Sequence, residues 1–134
     1  MRVAVVKHDP KDKAVFDVAG KDSERFFASG ADVLVVSPSR TTVFKHHESD
    51  FEEIVSSLGE FDLLIVEGLK NWQLPRISLF RESFDESYLA VSSAVALSEK
   101  MSQYRQNIPA NLCQYDLDDI DGVCGWILEN AKEI

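Results

Sequence analysis

The chain has 134 residues, 45% of them hydrophobic and 28% charged, a composition typical of a globular domain that can bury its own core. No apolar run approaches the roughly 20 residues of a bilayer-spanning helix, and no signal peptide precedes the charged Lys7-His8-Asp9, so one cytoplasmic domain over residues 1–134 is expected, with no membrane role. A formal net charge of −9 argues against nonspecific nucleic-acid binding, which needs Lys and Arg set against phosphates.

In chain order, Arg2 to Val6 is a short, β-branched apolar run without polar alternation, the pattern of a strand buried on both faces of a parallel sheet. Lys7 to Lys13 is a charged loop containing Pro10. Gly20-Lys21-Asp22-Ser23 opens a helix in which Asp22 or Ser23 supplies the N-cap, Phe26 and Phe27 the apolar surface, and Gly30 the terminator. Asp32 to Val36 reads as a second buried strand, Ser37 to Arg40 as a turn, and Thr41 to Lys45 as a short extension strand. Ser49 and Glu52 have capping-box spacing, and Phe51, Ile54, Val55 and Leu58 form one helical face ended by Gly59. Phe61 to Val66 is a third buried strand leading into Glu67-Gly68, and Arg76 to Phe80 a fourth. Val91 to Leu97 fits a fifth strand or a helix. Pro109 to Tyr115 is irregular or briefly extended, and Asp118 or Asp119 caps a last helix through Trp126, Ile127 and Leu128. Strands alternating with helices predict an α/β fold, a mainly parallel sheet flanked by helices.

Ligands of such sheets gather beyond the carboxyl ends of the strands, and Lys7-His8-Asp9, Ser37 to Arg40 and Glu67-Gly68 all follow predicted strands. Residues 1–45 carry eight Lys/Arg against six Asp/Glu, and the remainder six against seventeen, so an anion site is expected in the first third. The run "DLLIVEGLK" delivers Glu67 at a strand end, where a Walker B carboxylate holds magnesium or orients water. It is equally a solvated glutamate before a turn glycine. Lys7 offers a cation to phosphate, Asp9 a metal or water ligand, and His8 a group that titrates near neutrality. "GKDS" is not a phosphate loop, because Val15 stands at the first glycine position and Asp22 at the hydroxyl position of G-x-x-x-x-G-K-[ST]. A helix start with Lys21 beside it still suits an anion, or is simply a capped helix. His46 and His47 are adjacent and face apart, unlike a metal pair. Trp72 lies in a surface loop, as a partner anchor, a pocket wall or a cover for the sheet edge. Cys113 and Cys124 lack zinc-site companions and are expected as reduced, partly buried thiols.

In their order, "RVAVVKHDPKD", "DVAGKDSERFFASGADVLVVSP" and "LLIVEGLKNWQLPRISLFR" resemble the molybdopterin-guanine dinucleotide biosynthesis protein B (MobB) family, over roughly residues 2–81. The "YDLDDIDGVCGWIL" tail agrees more weakly. The resemblance implies a P-loop NTPase-like fold, GTP and Mg2+ as ligands, weak Mg2+-dependent GTPase activity, homodimers, and a helper role beside other molybdenum-cofactor biosynthesis enzymes. It places the family's K-H-D motif on Lys7, His8 and Asp9, its G-K-D-S motif on Gly20, Lys21, Asp22 and Ser23, and its E-G-x-K motif on Glu67, Gly68 and Lys70. Asp9 and Glu67 then become the catalytic and metal-holding carboxylates. Lys7, His8, Lys21, Ser23, Arg40, Gly68 and Lys70 become the nucleotide-binding set. The family's first strand, Walker A loop and helix have no counterpart, so a fold without that first strand-loop-helix is expected. A second function class competes with the first: a scaffold that binds no nucleotide and docks to a cofactor-synthesis enzyme or to itself. Glu67→Gln and Asp9→Asn should impair the first and spare the second.

Overall fold

The computed structural model describes residues 1–134. The chain divides into two compact units, Met1–Gly68 and Leu69–Ile134, each described below on its own.

The first unit contains β1 (Val3–Lys7), α1 (Asp22–Ala28), β2 (Val33–Val36), β3 (Thr41–Phe44), α2 (Phe51–Ser57) and β4 (Leu63–Glu67). β1 and β4 pair in parallel, with Val3 opposite Leu63 and Lys7 opposite Glu67. β2 and β3 form a separate antiparallel hairpin, closed by Ser37, whose hydroxyl donates to Arg40 O at 2.9 Å and accepts from Arg40 N at 3.1 Å. The expected single sheet is therefore divided, and the 32–45 segment is a hairpin because its turn is too short for a parallel crossover. Nor are the strands buried on both faces: Val5 is 61% and Leu34 59% exposed. Valine-rich runs report strand geometry, while coverage depends on what the rest of the chain lays over each face.

The helices of this unit begin one or two residues away from their expected positions. Lys21 is the N-cap of α1 and makes no side-chain cap, so neither Asp22 nor Ser23 fills that role. The other end is as expected: Gly30, at φ +97°, follows Ser29, Gly30 N donates to Phe27 O, and Ala31 N donates to Phe26 O, a Schellman ending. Phe27 stacks on His46 with centroids 3.8 Å apart, while Phe26 remains exposed. In α2 the cap is Asp50, whose carboxylate accepts from Glu53 N at 2.9 Å, in place of the Ser49–Glu52 box.

The second unit contains β5 (Ile77–Phe80), a 3-10 helix at Glu86–Val91, β6 (Ala94–Leu97), a second 3-10 helix at Glu99–Asn107, β7 (Cys113–Asp116) and α3 (Ile120–Asn130). The strands form a parallel sheet in the order β5-β6-β7. β6 lies between two neighbours and is buried throughout, which settles the 91–97 ambiguity in favour of a strand confined to its last four residues. Phe80, Val95, Leu97, Met101, Ile108 and Leu112 form the core, with Phe84, Tyr88, Leu89 and Tyr104 packed at its edge. Asp119 caps α3 as expected, accepting from Gly122 N at 3.0 Å, and Trp126 is its buried side chain. Both cysteines are free and exposed, less covered than expected because Cys113 lies on the outer strand β7 and Cys124 on the outer face of α3. No helix is long and apolar enough to cross a membrane.

Candidate functional site

Two parallel strands entered sixty residues apart bring the first elements of the site together. Because β1 and β4 run in register to their last pair, Lys7 and Glu67 project from the same face at the same level. Lys7 Nζ lies 2.6 Å from Glu67 Oε1, and both side chains are 67% exposed. The ladder continues one bond further, His8 N donating to Glu67 O at 2.9 Å. Gly68 then turns with φ +90°, and a Cβ added there would meet His8 Cβ at 2.9 Å. The glycine is therefore needed twice, once for its backbone conformation and once for the closeness of His8.

Asp9 follows directly, but its carboxylate turns onto its own loop. Oδ2 accepts from Lys13 N and Ala14 N, each at 2.7 Å, and Oδ1 accepts from Lys11 N at 3.3 Å. These donors, Ala14 N first, hold the Asp9 carboxyl below its ordinary value, as expected where backbone N–H groups favour the charged form. The aspartate thus organises residues 9–14, a role foreshadowed by the Asp-Pro pair that opens a turn.

The other expected residues lie elsewhere. Lys21 and Ser23 stand at the start of α1. Arg40 is in the turn of the β2–β3 hairpin, exposed. Lys70 belongs to the second unit, where its ammonium lies 3.7 Å from the centroid of the Tyr88 ring. The structure therefore joins Lys7, His8, Glu67 and Gly68 into one rim, with Asp9 beginning the adjoining loop. It shows no side-chain bond between that rim and Lys21, Ser23 or Arg40.

Sequence reading missed a second polar cluster in this unit. Glu53 is an ion-pair partner of Lys45 and lies 3.2 Å from His47 Nε2. The Lys45 ammonium, then His47 and Ser49, hold its carboxyl down to about 2. His46 Nε2 lies 3.0 Å from Phe27 O, and His46 N donates to Asp32 Oδ1 at 3.1 Å. The "KHH" run therefore ties the end of β3 to α1 and α2. The signal available in the sequence was the basic run preceding the acidic first turn of α2.

Magnesium takes oxygen donors, usually one or two carboxylates together with substrate phosphates. Glu67 fits that chemistry, since its pairing with Lys7 engages only Oε1. Asp9 has the right atoms but has committed both oxygens to backbone donors. No group of three or more His, Cys, Asp or Glu side chains forms a self-sufficient metal site.

Comparison with known proteins places this geometry. The chain is 29% identical over 113 residues to a Methanocaldococcus jannaschii protein provisionally named a molybdopterin-guanine dinucleotide biosynthesis adapter protein; the match covers 80% of this chain and 46% of that one, so the chain spans about half of that relative's length. It is 26% identical to the Escherichia coli molybdopterin-guanine dinucleotide biosynthesis adapter protein, over 96% of this chain and 76% of the other. Among solved structures, a molybdopterin-guanine biosynthesis protein B superposes with a TM-score of 0.68 at 22% identity, covering 96% of this chain and 80% of the other. Bacillus subtilis MobB superposes with a TM-score of 0.67 at 19% identity, covering 100% and 82%. These likenesses bear out the expected α/β fold. The family model for molybdopterin guanine dinucleotide synthesis protein B matches residues 1–102, a span that begins before β1, takes in the whole rim and runs past β6, and the chain belongs to the MobB family.

Proposed function

We propose that this chain is an accessory adaptor of molybdenum-cofactor biosynthesis that holds GTP with Mg2+ beyond the carboxyl ends of β1 and β4 and assists formation of molybdopterin guanine dinucleotide. The observation that carries the reading is that the family match spans Lys7, His8, Asp9, Glu67, Gly68 and Lys70 together, and that four of these form one rim at strand ends. Magnesium, when bound, would neutralise phosphate charge. In this reading Glu67 would hold the cation, and Lys7, released from Glu67, would turn to phosphate. Gly68 lets the backbone approach the ligand, and His8 walls the site. Lys21, Ser23 and Arg40 add donors from the same unit. Asp9 acts by shaping the loop that follows β1. A homodimer, a cytoplasmic setting and contact with other cofactor-synthesis enzymes belong to the same proposal.

One observation favours the second reading, a docking scaffold without nucleotide: Lys7 and Glu67 already satisfy each other, and Asp9 satisfies its own backbone. Calorimetry with GTP, with and without Mg2+, separates the two. The adaptor reading expects Mg2+-dependent heat that weakens about tenfold or more in Glu67→Gln, the loss of one charge-assisted contact. A folded wild-type chain that gives no heat at millimolar GTP and Mg2+ would leave the scaffold reading standing.

A further inference from the structure

Between the loop that Asp9 orders and the start of α1 runs a segment whose polarity is inverted. Val15 is 86%, Phe16 80% and Val18 63% exposed, the first two more than any other large hydrophobic side chain of the molecule. Asp17, among them, is half-buried, and its Oδ1 accepts from Val18 N at 2.8 Å. Single exposed apolar side chains are ordinary, but three within four residues make a patch that calls for an occupant.

Both ends of this segment are pinned and its middle is not. Upstream, Asp9 Oδ2 accepts from Lys13 N and Ala14 N, each at 2.7 Å. Downstream, Lys21 N donates to Val18 O at 3.1 Å, and Gly20 N donates to Glu24 Oε2 at 3.2 Å. Val15 and Phe16, between these pins, lie in neither helix nor strand and take no part in the backbone hydrogen bonding. Asp9 directly follows His8, so the upstream pin stands next to the rim. Phe16 is two residues beyond the last pinned amide, a reach of about 7 Å in extended chain before its ring is counted. The segment can therefore swing with every pin in place.

We propose that Val15 to Val18 is a strap that closes over the nucleotide at the rim, with Phe16 laying its ring against the base. The proposal rests on the adaptor reading above and adds to it the group that meets the base. Lys7 and Glu67, the charged side chains of the rim, suit phosphate and cation and offer no face to a planar heterocycle. Phe16 supplies that face, and stacking on an aromatic side chain suits any base. Closure also takes Val15 and Val18 out of water, a driving force realised only when a ligand fills the rim. A polyphosphate without a base gives the strap nothing to close on.

The test is calorimetry on the full chain with two probes, GTP and inorganic tripolyphosphate, each with Mg2+, for wild type, Phe16→Ala and Phe16→Trp. Phe16 is 80% exposed, so both substitutions spare the fold, and an amide spectrum matching wild type confirms it. Phe16→Ala should weaken GTP about tenfold, the loss of one stacked base, and leave tripolyphosphate unchanged. Phe16→Trp should bind GTP at least as tightly as wild type. Equal GTP affinity in Phe16→Ala and wild type overturns the strap and leaves the adaptor reading intact. A matching loss of tripolyphosphate overturns it too, because Phe16 would then support the rim and not meet a base. A wild-type chain that binds no GTP overturns the adaptor reading and the strap together.

Discussion

Replacing Gly68 by alanine should loosen the site from its hinge outward. Two costs add. An L-residue at φ +90° carries about 1–2 kcal/mol of backbone strain. The new Cβ would meet His8 Cβ at 2.9 Å, and relieving that contact pulls at the bond from His8 N to Glu67 O, worth about 1 kcal/mol. The sum is about 2–3 kcal/mol, a fall of roughly 30- to 150-fold in local protection. Hydrogen exchange is the assay, because both tryptophans lie in the second unit and their fluorescence would not report on β1 and β4. The protection of the His8 and Val66 to Gly68 amides should fall. Gly59→Ala is the internal reference: Gly59 also has positive φ, at +69°, but its Cβ would meet nothing within 4 Å, so only the backbone cost of about 1–2 kcal/mol applies. If Gly68→Ala leaves β1–β4 exchange unchanged, or costs no more than Gly59→Ala, the close approach of His8 is not holding the rim.

Leu97→Ala removes a core side chain only 1% exposed and should destabilise the second unit by about 2–5 kcal/mol, read by urea unfolding through Trp126 fluorescence; a loss under about 1 kcal/mol would mean the core collapses around the void. Asp119→Ala deletes the cap on Gly122 N and should cost about 1 kcal/mol, visible as faster exchange at Gly122; unchanged exchange there would show water replacing the cap without penalty. Glu53, depressed to about 2 from an ordinary 4.5, stabilises the fold above the unfolded value, and that contribution is lost as pH falls from about 4.5 through 2. An NMR titration should place its midpoint near 2 in wild type and higher in Lys45→Met, whereas a midpoint near 4.5 in both would dissolve the cluster.

Local pattern disclosed the strands better than their surroundings. β1, β4 and β5 were legible because short apolar runs ended in charges or glycine, and α3 because an acidic cap preceded a periodic face. The 3-10 helices at Glu86–Val91 and Glu99–Asn107 were not, since "ESYLAV" and "EKMSQYRQN" carry no apolar period. The cap of α2 slipped by one residue because Ser49 and Asp50 can both accept from the first turn, and the stronger acceptor won. For the site, strand-end positions named Lys7 and Glu67 correctly as neighbours on a rim. Their mutual ion pair depends on parallel register across sixty residues, which no local pattern encodes.

The two carboxylates at the rim differ most in what a ligand must displace. Freeing Glu67 means breaking one ion pair whose members are each 67% exposed, and such surface pairs are worth at most about 1 kcal/mol. The released Lys7 ammonium also finds a new anion whenever the incoming ligand carries phosphate, so the exchange nearly balances. Freeing Asp9 means stripping three backbone donors, Lys11, Lys13 and Ala14, each left without its partner once the carboxylate swings away. Those three bonds are what orders the loop, so losing them together undoes it. In the proposed adaptor site, a cation arriving with a polyphosphate would therefore meet a glutamate free to turn to it and an aspartate tied to residues 9–14. Within the proposed adaptor site this ranks Glu67 as the metal-side carboxylate and Asp9 as the residue that keeps the neighbouring lysines in place.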